Sequence, residues 1–198
     1  MKARNFNTKL DAVSSSAQFI LETPRLLVCQ YTMSDADNFF ALNSDAEVMH
    51  YIRPPKTRIE CDAFLVQNID FYNTHSNLGR WAAYEKNTKG FIGSFAIIPI
   101  DAETNTIQIG YALMRSSWGK GFATELVQHG KTFFFNTHGA DVLYGITEHL
   151  NKASQKVLLK CGFQESGTLI SGDKKLIRFS IMRSAIFKNQ PINKVQEN

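Results

Sequence analysis

The residues best suited to chemistry are the run Trp118-Gly119-Lys120-Gly121-Phe122-Ala123-Thr124, where two glycines flank a lysine between a β-rich stretch and an amphipathic one. Glycine tolerates the positive φ of a tight turn. A turn that feeds a helix leaves the helix's first N–H groups unbonded, at the positive end of its dipole. Such a turn receives phosphate, and Lys120 and Arg115 add charge beside it. Taken alone, the run also fits a plain β-to-α connection. A nucleoside-triphosphate loop is excluded, because the required glycine spacing and the Gly-Lys-Ser/Thr ending are both missing. A dinucleotide site asks for an acidic residue about twenty positions on, at the end of the next strand. Asp141 has the spacing but precedes its strand, and Thr124 takes the third glycine position.

A second motif follows about thirty residues later: Asn151-Lys-Ala-Ser154, continuing to Lys160-Cys161-Gly162-Phe163. The Asn-x-x-Ser helix with its Gly-Phe ending resembles the GNAT superfamily of N-acetyltransferases, and Trp118 to Ala123 matches that superfamily's Gln/Arg-x-x-Gly-x-Gly/Ala loop except at its first position. Glu22-Thr-Pro-Arg25-Leu-Leu, Ile109-Gly110-Tyr111 and Trp118 to Glu125 further resemble the subgroup of bacterial ribosomal-protein N-terminal acetyltransferases (RimJ/RimL-like). The likeness runs from about residue 19 to 182.

The resemblance implies acetyl-CoA as acyl-donor substrate, with its phosphates on the turn and its pantetheine along the strand ending at Leu113 and Met114. The implied donor contacts are Leu113, Met114, Arg115, Trp118 to Thr124, Asn151 and Ser154. It also implies direct attack by a primary amine, with the Leu113 N–H stabilising the oxyanion and Ser154 protonating the thiolate; a plain reading makes Asn151 an N-cap and Ser154 merely polar. Relatives carry Glu before Ile-Gly-Tyr, whereas this chain has Gln108, which takes no proton; Glu103 and Glu148 are the acidic substitutes. The acceptor pocket is expected from Tyr51-Ile-Arg53-Pro54-Pro55, Phe71, Tyr72, Trp81, Arg178 and Phe179. A protein α-amine with a pKa near ~7.8 is ~10–20% neutral at pH 7. A lysine near ~10.4 is about 0.04% neutral, a gap of over ~3 kcal/mol. A weak base therefore suits an α-amine, such as that of a ribosomal or other protein N-terminus. A small-amine or antibiotic acetyltransferase and a non-catalytic acyl-CoA-binding module are the alternatives.

The elements that must position these residues are legible from pattern. Phe19 to Leu21 with Arg25 to Cys29 read as a first strand, and Ser34 as the cap of a short helix with Phe39, Phe40 and Leu42. A second helical piece covers 44–50. Thr57 and Glu60 form a capping box for a helix whose Ile59, Ala63, Val66 and Ile69 face a sheet. Runs 80–86, 91–100 and 106–114 predict an antiparallel meander, the first pair joined by Asn87-Thr88-Lys89-Gly90. Phe122, Leu126, His129 and Phe133 line a long buried helix. Then follow strand 142–147, helix 151–160, and a hairpin about Ser171-Gly172-Asp173. The expected fold is a single mixed α/β (α+β) domain, a mostly antiparallel sheet flanked by helices and splayed between its fourth and fifth strands. The domain spans 18–187, between a disordered leader (1–17) and a flexible tail (188–198).

Bulk composition narrows the class. The 198 residues, 43% hydrophobic, suffice for one substantial core. The net charge of +4 is spread without a basic run, so no nucleic-acid contact is expected. Cys29, Cys61 and Cys161 have no metal-ligand or disulfide spacing, and the five histidines have none either, so no metal is assigned. With no span-length apolar run, the expectation is a cytoplasmic protein without membrane contact, monomeric or homodimeric.

Overall fold

The computed structural model describes residues 17–100, 103 and 105–187. The expected leader and tail lie outside the described residues, Ala17 apart. Eight strands form one sheet in the order β1-β2-β3-β4-β5-β6-β8-β7. They are β1 (Phe19–Glu22), β2 (Leu26–Gln30), β3 (Gly79–Glu85), β4 (Phe91–Pro99), β5 (Ile107–Leu113), β6 (Val142–Glu148), β7 (Gln164–Ser171) and β8 (Lys174–Met182). All neighbours are antiparallel except β5 and β6, which are parallel and share one register pair, Gln108 opposite Tyr144. This is the expected splay, one strand later in the count. The shift arises because Phe19 to Cys29 is not one strand: Pro24 interrupts it, and β1 folds back antiparallel on β2.

The helices are α1 (Ala36–Ser44), α2 (Ala46–Met49), α3 (Arg58–Phe71), α4 (Phe122–Thr137), α5 (Lys152–Lys160) and α6 (Arg183–Ile186). Alternation along the strands sorts the sheet into two faces. The inner face carries Val28, Trp81, Ala83, Phe95, Ile97, Ile109, Leu143, Ile177 and Phe179 into one apolar cluster with Leu126, Val127 and Phe134 of α4 and Leu158 of α5. Gly130 of α4 admits the Phe95 ring where a Cβ would stand 2.2 Å from it. The outer face is covered over β2 to β4 by α1 and α3, through Tyr31, Phe39, Cys61, Leu65, Ala82 and Tyr84. Farther along, Gln108, Gly110 and Ala112 of β5, Tyr144, Ile146 and Glu148 of β6, and Arg178 of β8 remain half-buried. An open groove is left there.

Three local expectations change. Thr32, not Ser34, caps the helical turn Met33–Asp35 that leads into α1, with Asp35 answering in a capping box. The Thr57–Glu60 box does start α3, but its inward residues are Cys61 and Leu65, while Ile59 and Val66 are exposed. Of the expected inward residues only Ile69 packs on the sheet side; Ile59 and Ala63 each lie two positions, about 200° at ~100° per residue, from the buried Cys61. On α4, Gly130 and Lys131 are buried beside a half-exposed His129. Lys131 reaches that depth because its ammonium donates to the Cys161 carbonyl.

Candidate active site

The glycine turn sits between β5 and α4. Gly119 and Gly121 adopt φ of +75° and +80°, and Gly121 is the N-cap of α4. An L side chain is strained at such φ. The turn presents the unbonded first N–H groups of α4, from Phe122, Ala123 and Thr124, to the exposed surface. A brace that sequence reading missed holds it from behind. Arg25 donates from Nη1 to the Lys120 carbonyl (2.9 Å) and from Nε to Glu125 Oε2 (2.6 Å), and its guanidinium lies 4.6 Å from the Phe122 ring centroid. Glu125 also accepts from the Thr23 hydroxyl (2.6 Å) and the Arg25 N–H (2.8 Å). Burial alone would raise the Glu125 carboxyl, but the bonds from Thr23 and Arg25 outweigh it and hold the group below the ordinary carboxylate range. Glu22-Thr-Pro-Arg25 is thus the brace of the turn.

The edge of β5 faces the gap. Met114 donates its N–H to Ile92 O (2.9 Å), which points the even-numbered amides of β5 at β4. The alternate amides, Tyr111 and Leu113, therefore point toward β6, past the last register pair at Gln108 and Tyr144. The Leu113 carbonyl accepts from Trp118 Nε1 at 2.8 Å, anchoring the start of the turn to the strand end. Met114, expected among the donor contacts, has its N–H committed to Ile92, so the gap-facing amides are those of Tyr111 and Leu113. Arg115, expected to add charge at the turn, is instead shared by Asp45 (3.1 Å) and Glu47 (2.8 Å) of the α2 region. Lys120 is exposed and has no ion-pair partner among the described residues.

Across the gap, Asn151 caps α5 by accepting from the Ser154 N–H (3.0 Å). Ser154 stands beside the Tyr111 phenol, whose pKa burial raises while Ser154 opposes the rise. Tyr111, which the sequence offered only as part of a motif, lies on β5 with Ser154 of α5 beside it. Cys161 is buried, its thiol raised by burial, and its Sγ stands 3.5 Å from the Thr124 carbonyl. A buried, protonated thiol is no nucleophile.

The outer face carries the carboxylates. Glu148, four positions beyond Tyr144 on β6, bonds Lys174 Nζ at 2.8 Å through one oxygen. Glu103 forms an ion pair with Arg178, whose guanidinium lies 5.2 Å from the Tyr144 ring centroid. Arg53 and Arg178 lie on this side. Trp81 and Phe179 do not: both are fully buried on the inner face and belong to the core. A cavity of about 300 Å³ lined by Gln30, Tyr31, Thr32, Met33, Ile69 and Tyr72 takes no residue from the turn or from α5. Among the described residues no group of three His, Cys, Asp or Glu is gathered to hold a metal ion, and no helix is long and apolar enough to cross a membrane.

The sheet is thus parted beyond one register pair between β5 and β6, with the glycine turn and the start of α4 following the end of β5. A family model described as Acetyltransferase (GNAT) domain matches residues 25–164. The uncharacterized N-acetyltransferase YoaA of Bacillus subtilis is 30% identical over 151 residues, covering 76% of this chain and 85% of that protein. The chain belongs to the GNAT family of N-acetyltransferases. Two solved structures share the fold. One is the acetyl transferase from Salmonella typhimurium that modifies the N-terminal serine of ribosomal protein L7/L12 (TM-score 0.70, 16% identity, 83% of this chain and 99% of that one). The other is spermidine N-acetyltransferase from Vibrio cholerae, solved with CoA and spermine (TM-score 0.67, 21% identity, 80% and 96%).

Proposed function

We propose that the chain moves the acetyl group of acetyl-CoA directly to a primary amine, the α-amine of a protein or peptide N-terminus. The observation that carries this reading is the pair of unpaired amides, Tyr111 and Leu113, running along the gap toward the glycine turn. A pantetheine arm is a chain of amides and adds to a strand edge as another strand would. The turn, from Trp118 to Thr124, then receives the phosphates, with Lys120 as the free cation.

Attack by the neutral amine from the groove forms the new C–N bond. The Leu113 N–H stabilises the negative charge that develops on the thioester oxygen. As the C–S bond breaks, Ser154 gives its proton to the departing thiolate. The proton lost by the amine passes to Glu148 or Glu103 through water, since Gln108 accepts none. Such a relay is weak, which favours an acceptor that is already partly neutral. At pH 7 an α-amine exceeds a lysine in that respect by about 2.6 pK units.

The test follows release of CoA thiol with a panel of peptides, each offered with a free α-amine, with the α-amine blocked and an internal lysine free, and with both blocked, alongside spermidine. Turnover of the free α-amine alone is expected. Acetylation of internal lysine only would overturn the α-amine reading.

A further inference from the structure

The rim of the groove beside β3 carries concentrated positive charge that nothing described in the protein neutralises. Arg53, Lys56 and Arg80 gather round one phenyl ring, that of Phe64 on α3, at 4.9, 5.3 and 5.5 Å from its centroid. Among the described residues no carboxylate forms an ion pair with any of the three, although nine such pairs occur elsewhere in the fold. The Nε atoms of Arg53 and Arg80 have no solvent exposure and no hydrogen-bond partner. Among the described residues the side chains of this trio make one hydrogen bond, from Arg53 Nη2 to the neutral Asn43 Oδ1 (2.8 Å). Burial, and then the charge of Arg80 beside it, pushes Arg53 down to about 10, and burial lowers Arg80 as well. Two desolvated guanidiniums held together without a counter-ion are costly for folding alone.

Their position gives the cost a use. Arg80 pairs in register with Ala96, and Ala96 with Gly110, so the three form one row across the outer face. A Cβ at Gly110 would meet nothing within 4 Å, so the row opens into free space at the edge of the gap. On the far side of the gap stand Ile146, paired with Arg178, and the carboxylates of Glu103 and Glu148. Acids thus stand on the β6 and β8 side, where an amine must lose a proton, and arginines without a carboxylate partner on the β3 side, with the buried Ala96 between Arg80 and Gly110.

Resting on the α-amine reading above, we propose that the acceptor carries an anionic group, a carboxylate or a phosphate, which Arg80 and Arg53 bind while its amine lies at the gap. Arg80 and Gly110 are two strand spacings apart, about 10 Å, the length of about three extended residues. The acid accordingly belongs to one of the first three residues of a peptide acceptor. Arginine suits this task because its planar fork binds carboxylate or phosphate through two bonds.

The experiment uses amidated tripeptides with Asp, phosphoserine, Asn or Lys placed in turn at each position. Wild-type kcat/KM for Asp or phosphoserine is expected to exceed that for Asn at least tenfold at one position, the better of the two acids identifying the source of the anion. Arg80→Gln and, separately, Arg53→Gln should bring that ratio to within twofold of one. Equal turnover of Asp and Asn peptides by wild type, or preference for Lys, overturns the proposal. The comparison is repeated with blocked α-amines and a free lysine, so an error over which amine reacts is read separately from an error over charge. Calorimetric titration of the acetylated Asp and Asn products into the CoA-loaded protein provides a measure independent of turnover; equal affinities, or binding of neither, also overturn it.

Discussion

Replacing Glu125 by Ala removes the acceptor on which the brace of the glycine turn converges. Glu125 takes three bonds, from the Thr23 hydroxyl, the Arg25 N–H and the Arg25 guanidinium, and its side chain is 11% exposed. A hydrogen bond to a charged group contributes about 1.5–3 kcal/mol. The guanidinium bond is discounted to under about 1 kcal/mol because the Arg25 side chain is 46% exposed. The buried Thr23 hydroxyl falls back on the Leu26 carbonyl at a long 3.5 Å. Since the bonds share one carboxylate and do not add, a net loss of about 3 kcal/mol is expected, or roughly 6–12 °C in Tm for a chain of this size. With Arg25 released, the Lys120 carbonyl loses its donor and the turn loosens. If about 1.4 kcal/mol of the loss reaches donor binding, Kd for CoA rises tenfold. Glu125→Gln, which keeps one oxygen acceptor but no charge, should fall between. Because the folded carboxyl lies below its ordinary range, the contribution is present above the unfolded pKa and fades as pH falls through the folded one; the Tm gap between wild type and Glu125→Ala should close in acid. Calorimetry and CoA titration over pH 3 to 8 decide it. An unchanged Tm with an unchanged Kd would refute the brace.

Ser154→Ala should lower kcat by about 10²-fold with little change in the KM for acetyl-CoA, and Tyr111→Phe by less, as measured by thiol release; equal rates in wild type and both variants remove the pair from the proton path. Gly121→Ala forces an L residue to φ of +80° and should cost about 1–2 kcal/mol in urea unfolding, together with weaker CoA binding. Gln108→Glu places a carboxylate on the outer face beside Tyr144 and should raise turnover of α-amines near pH 7, provided that the missing base limits the rate; a flat pH profile would say that it does not. The three cysteines are buried and burial raises each thiol, Cys29 to about 11, so a thiol reagent should label them only on denaturation.

What could be read in advance was the local chemistry. Gly119 and Gly121 declare a turn, the apolar stripe from Phe122 declares a buried helix, and Asn151 declares a cap, each within a few residues of its cause. The meander of β3 to β5 was equally plain, because its strands alternate and its turns are short. What escaped depends on partners far away in sequence. Arg25 and Glu125 are 100 residues apart, and nothing in either neighbourhood says that they meet. Ile59 and Val66 misled because large apolar residues are expected inward, whereas α3 lies over Ala82 and Tyr84 on the sheet and turns the smaller Cys61 inward with Leu65. Trp81 was assigned to the groove because aromatics suit both core and substrate walls, and only the strand parity at β3 distinguishes them. The same parity places Arg80 on the outer face, against Phe64 of α3.

The lone Gln108–Tyr144 rung has a mechanical consequence. β1 to β5 and β6 to β8 are two ladders joined by one pair of residues, while the apolar cluster under α4 and α5 runs unbroken beneath both. The seam is therefore glued on one side and free on the other, so thermal opening should widen it toward the groove and leave the core sealed. A donor lying in the seam adds rungs that the polypeptide lacks. It would convert two breathing units into one cooperative sheet, and amide exchange in β6 and β8 would slow at residues that touch no ligand.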